Sequence, residues 1–190
     1  MSDSSIPSSR RSVLVVHLLV AILAIVVARP ADAASAADLN RDGARALKDL
    51  YATDSSARML GEKAKAVLIF PSMVKAGFLF GGQIGEGVLL KKGRPVAYYN
   101  SVAASYGLQA GGQIFSYALF FMNDGALDYL NASGGWEVGV GPSIVVVDSG
   151  MGKSLTSTTL TQDVYAFIFG QKGLMGGLGV QGSKITKIDK

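Results

Sequence analysis

All 24 glycines of this chain lie beyond residue 33, scattered between short apolar runs. Glycine weakens a helix, but inside a strand it marks a bend, a bulge or a close backbone approach. From residue 66 onward the apolar runs read as strands at 67–70, 77–80, 87–90, 96–100, 106–110, 115–122, 136–140, 144–147, 164–169 and 178–181. Pro71, Lys92-Gly93, Asn123-Asp124 and Asp148-Ser149-Gly150 separate several of them. Gly81-Gly82-Gln83-Ile84 returns as Gly111-Gly112-Gln113-Ile114. Two copies do not make a repeat array, but glycine pairs at similar places in two strands let a sheet fold over on itself.

Before the strands come helical signals. Ser35 to Asp38 has capping-box spacing, and Leu39, Ala46, Leu47 and Leu50 share one face. Thr53-Asp54-Ser55-Ser56 can cap a second helix through Leu60, with Gly61 as its stop, and a further short helix fits 124–130. The expected fold is α+β: N-terminal helices packed on a strongly curved, glycine-rich antiparallel sheet, barrel-like, with one further short helix. An outer-membrane barrel is the structural rival. It wants alternation of apolar and polar residues, whereas 115–122 and 144–147 are apolar on both faces.

The first 33 residues read as an export signal. Arg10 and Arg11 precede an uncharged apolar run at 13–27, and Ala31-Asp32-Ala33 has the small-x-small cleavage pattern. Fifteen helical residues span only about 22 Å, short of a hydrocarbon core of about 30 Å. The arginine pair also resembles a twin-arginine signal. The expectation is a periplasmic bacterial protein, free or peripheral on a membrane, cleaved after Ala33. Residues 34–62 would form a helical segment and 63–190 a β-rich domain, together one globular unit.

Removing 1–33 leaves 15 basic and 12 acidic residues, against 18 and 14 in the whole chain. A net charge of +3 is far from the dense footprint of a nucleic-acid binder. The chain has no cysteine, and its one histidine, His17, lies in the segment to be removed. Thiolate sites and histidine-based catalysis fall with them. Glu62, Glu86 and Glu137 are the only glutamates, and nothing sets their spacing. Val147 to Ser154 ends like a phosphate loop, but valine stands where the first glycine should be. Gly177 to Gly182 matches the letters of a dinucleotide fingerprint, with no room after it for the required helix. The expectation is no enzyme, no cofactor, no metal, no nucleotide and no nucleic acid.

Lys63-Ala64-Lys65 with Val67 to Pro71, then Lys75-Ala76-Gly77-Phe78, then Gly85 to Leu90, resembles the opening of the SYLF-domain family. Tyr106 to Gln113 with Leu119 to Asn123 is similar to its central block, and Lys172-Gly173-Leu174 with Gly176 to Gly182 to its closing block. The chain departs from the family at Phe169-Gly170-Gln171, where a basic residue usually precedes the lysine, and fits poorly from Gly141 to Lys153. The resemblance implies a lipid-binding module. Eukaryotic relatives bind phosphoinositide membranes and some bind actin; neither ligand suits a bacterial envelope. The expected partner is a lipid or membrane surface, anionic by preference, with a protein partner in the envelope as the alternative. Basic turns at Lys63, Lys65, Lys75, Lys91, Lys92, Arg94 and Lys172 would meet the headgroups. Phe78, Phe80 and Leu174, beside glycines, would meet the acyl chains.

Overall fold

The computed structural model describes residues 34–132, 134–147, 160–173 and 183–190. They belong to one compact unit, Ala34–Lys190. Helix α1 (Ala36–Thr53) starts where Ser35 Oγ accepts from the Asp38 N–H at 3.1 Å. Asp54 ends α1 and caps α2 (Ser55–Lys63), its carboxylate accepting from the Ser56 and Ala57 N–H groups at 2.8 and 3.0 Å. Gly61 does not stop α2. Its missing side chain makes room for the Tyr51 ring, and the helix runs on to Lys63. Helix α3 (Asp124–Leu130) falls where expected, with Asn123 Oδ1 accepting from the Ala126 N–H at 2.9 Å.

The largest departure from the sequence reading is in strand length. Three expected strands merge into β1 (Ala66–Lys91), and three more into β2 (Arg94–Phe121). The two pair antiparallel along their whole length, with register shifts between Phe70 and Met73 and between Phe78 and Phe80. Pro71, which offers no N–H to a ladder, falls in the first shift, so it bends the strand without ending it. The turn between them holds Lys92 and Gly93 at φ 49° and 74°, the left-handed pair that a tight hairpin requires.

Strands β3 (Trp136–Glu137), β4 (Ile144–Val146), β5 (Val164–Gly173) and β6 (Ser183–Ile188) complete the sheet. The C-terminal half of β2 pairs with β5, and its N-terminal half with β6. Strand β3 adds to β6 antiparallel, whereas β4 adds to β5 in parallel, a mixed pairing that the antiparallel expectation lacked. The connection from β4 to β5 is long enough for the crossover that parallel neighbours need. Expected strand 136–140 shrinks to two residues, because the chain turns for Trp136 Nε1 to donate to the Val140 carbonyl at 3.0 Å. Expected strand 178–181 and both glycine-rich nucleotide look-alikes lie wholly or mostly outside the described residues.

The long hairpin curls until the two ends of β1 meet. A Cβ on Gly87 would lie 2.7 Å from the Ile69 carbonyl oxygen, and Gly85 lies directly against Ser72 and Met73. Only glycine permits that approach. The concave face encloses Leu68, Phe70, Met73, Leu89, Tyr99, Phe115, Tyr117, Phe121 and Trp136. On the convex face Val67 and Ile69 from one end of β1, and Val88 and Leu90 from the other, share a cluster with Leu47 and Leu50 of α1 and Ala57 and Leu60 of α2. The helices therefore sit over the seam.

Candidate functional site

The expected basic residues are not all gathered in one place: Lys75 and Lys172 lie apart from the other five. Lys92 and Gly93 of the hairpin turn reach the end of α2, where a groove of 520 Å³ is lined by Leu47, Tyr51, Ala66, Val67 and Leu90, with Arg58 and Glu62 among its polar residues. Burial, with the nearby Glu62 carboxylate second, pushes the Tyr51 hydroxyl up to about 12. Lys63, Lys65, Lys91 and Arg94 are exposed around this region. Lys65 also lies 3.8 Å from the exposed Asp124 carboxylate. Lys172 stands on the opposite flank of α1, in a groove of 540 Å³ shared with Asp42, Arg45, Asp49 and Phe169.

Lys75 was expected in an exposed turn; it is a strand residue only 7% exposed. It faces the interior because it keeps the alternation of Met73 and pairs with Gln113, itself buried. Phe78 and Phe80 lie in β1, but their side chains are outside the described set, as is Leu174 altogether.

The convex face presents a feature that sequence reading missed. Val74 pairs with Ile114, which pairs with Lys172 across the next strand. Ile84 pairs with Val102, which pairs with Lys184 on β6. Gly85 lies against Ser72 and Met73, which brings the backbones that carry the two rows together at the seam. The result is a band across the curled sheet reading Lys172, Ile114, Val74, Ile84, Val102, Lys184. Its apolar members are 49%, 44%, 57% and 46% exposed in that order, and both lysines are exposed.

No charged residue lies between Arg94 and Asp124, or between Lys75 and Glu86, so between the two rows of the band the hairpin carries only Lys75, which is buried. Glu137 pairs with Lys184, and Asp42 and Asp49 share the Lys172 groove, so positive charge at the two ends is partly offset. The band is mainly an apolar surface with cationic ends. Its sequence signal was present in the alternation Val74, Ala76 and Ile84, Gly82. Only register could align those residues with Val102, Ile114 and Lys184.

The family described as "Ysc84: Las17-binding protein actin regulator" matches residues 102–190. No curated protein matches the chain. Residues 102–190 are thus similar to the Ysc84 (SYLF) family, and the matched stretch takes in Val102, Ile114, Lys172 and Lys184 of the band. The SYLF-like motifs between Lys63 and Leu90 lie before the matched region.

Proposed function

We propose that this SYLF-domain protein is a non-enzymatic lipid-binding protein of the bacterial cell envelope, exported by its first 33 residues. It meets anionic membranes through the band on its convex face. The observation that carries the reading is the juxtaposition of four half-exposed apolar side chains, flanked by two lysines, beside a stretch of hairpin whose only charged residue, Lys75, is buried. A soluble surface scatters its apolar residues singly, and a contiguous patch marks a contact.

Magnitudes say which part of the band dominates. Each lysine beside an anionic surface contributes about 1 kcal/mol. Burying a large aliphatic side chain contributes about 1.5–3 kcal/mol, and these four begin half-buried, so each adds roughly half of that. Together they give roughly 5–8 kcal/mol, a dissociation constant between about 0.2 mM and 1 µM. The apolar residues supply most of it, and the lysines choose the sign of the headgroup.

Vesicle flotation with the Ala34–Lys190 chain tests this. The parent should float with anionic vesicles at low salt and less with neutral ones. Ile84→Asp with Ile114→Asp should reduce binding at least about tenfold while leaving the melting curve near that of the parent. A parent that never floats ends the lipid reading and leaves the band to a protein partner. A double variant that binds like the parent moves the contact elsewhere.

A further inference from the structure

Where the chain leaves the expected signal segment, one carboxylate holds both ends of the compact unit. The Ala34 nitrogen donates to Glu86 Oε2 at 3.1 Å. Lys190 Nζ lies 2.9 Å from each oxygen of the same carboxylate and donates to the Ala34 carbonyl at 2.8 Å. Although the contact lies at the exposed end of the chain, the side chains of Lys190 and Glu86 are only 10% and 27% exposed. Glu86 lies between Gly85 and Gly87, on the part of β1 that closes the seam, and Ala34 leads directly into α1.

We propose that Glu86 is the receptor for the α-ammonium created by cleavage between Ala33 and Ala34. This rests on the export reading of residues 1–33 and not on the lipid reading. Before cleavage, the Ala34 nitrogen is a neutral amide with one proton to donate. Hydrolysis of the Ala33–Ala34 peptide bond puts a carboxylate on Ala33 and a protonated amine on Ala34, so the hydrogen bond to Glu86 becomes charge-assisted, roughly twice as strong as a neutral one. Lys190 opposes this by like charge but sits on the same carboxylate, which has two oxygens to share. Processing thereby fastens the start of α1 onto the seam that α1 covers. Capture by Glu86 makes Ala34, rather than a neighbouring residue, the fitting first residue of the mature chain.

Two measurements test the two halves. The mass of the exported protein should correspond to a chain beginning at Ala34; any other start overturns the cleavage assignment and leaves the lipid reading untouched. The docking is tested on Ala34–Lys190 chains with a free or an acetylated N-terminus, in the parent and in Glu86→Gln. The free amine should melt about 2–4 °C above the acetylated chain, and Glu86→Gln should close that gap. Among the described residues, the charged groups bonded to Ala34 are Glu86 and Lys190. With its partner carboxylate, the amine is held protonated in the folded state. While Glu86 is ionised, the gap should therefore be full below the unfolded α-amine value, about 7.7–8.0, and shrink as pH rises above it. Equal melting of the two parent chains, or the same gap in Glu86→Gln, overturns the docking. The parent pair decides alone if Glu86→Gln does not fold.

Discussion

Asp163 shows how much one partly exposed side chain can organise. It accepts from the Ser143 N–H at 2.8 Å, from Asn123 Nδ2 at 2.7 Å and from Ser143 Oγ at 2.8 Å. The Ser143 backbone bond first, then Asn123 and the Ser143 hydroxyl, hold its carboxyl below the usual carboxylate range. A depressed carboxylate contributes stability above its unfolded value, near 3.9, and loses it as pH falls through the folded value. Asp163→Asn should therefore melt below the parent at pH 7, and the gap should close below about pH 4. A gap unchanged into acid would deny the carboxylate that role. At the same scale, the lysines divide by burial. Lys172→Glu with Lys184→Glu should weaken anionic-vesicle binding with little change in melting, since both are exposed. Lys75→Glu reverses a buried charge and should destabilise by about 3 kcal/mol or more, so its binding defect would report unfolding. Thermal melts run beside flotation separate the two cases.

The seam is where whole elements depend on single atoms. A methyl group on Gly87 meets the Ile69 carbonyl at 2.7 Å, a backbone atom that cannot swing away. Gly87→Ala should lower stability by about 1–3 kcal/mol through overpacking. Gly82 lies in the same strand, with Ala103 O 3.7 Å from its added methyl. Gly82→Ala should be neutral, or stabilise by about 0.4–1 kcal/mol by restricting the unfolded chain. Denaturant melts of both variants check this; equal effects would mean that β1 does not close on itself as described. The pair also separates the two uses of glycine in this sheet, close contact at 87 and simple flexibility at 82.

Across the whole molecule, the curl gives the sheet an apolar, aromatic interior and leaves its convex face to the helices and the band. An outer-membrane barrel would instead turn its convex face to lipid on every side. Among the described residues no helix is long and apolar enough to cross a membrane. Membrane contact through the band should respond only mildly to salt, because two lysines at about 1 kcal/mol each limit the screened part to about thirtyfold in affinity. Flotation between about 0.05 and 0.5 M salt tests that division. A loss of several hundredfold would mean that the hairpin-turn cations Lys91, Lys92 and Arg94 join the contact.

The sequence by itself determined the elements whose causes are local. The caps at Ser35, Asp54 and Asn123 act within three residues, so the starts of α1, α2 and α3 were legible, as was a curved sheet from the glycines. The family resemblance was legible too, because it rests on residue identities in order. Where one strand ends was not. Glycine and Pro71 read as breaks, yet a ladder to β2 carries β1 through both, since partner hydrogen bonds outweigh a local bend. Strand β6 went unread although Lys184, Ile185 and Thr186 alternate, because so short a run becomes a strand only beside β2. The site divided in the same way. Exposed cations at Lys92 and Lys172 could be guessed from turn-like surroundings, while the burial of Lys75 and the alignment of Val74, Ile84, Val102 and Ile114 could not. Which face a strand residue takes, and what stands beside it, is set by register across strands far apart in sequence, and only the tertiary structure decides that.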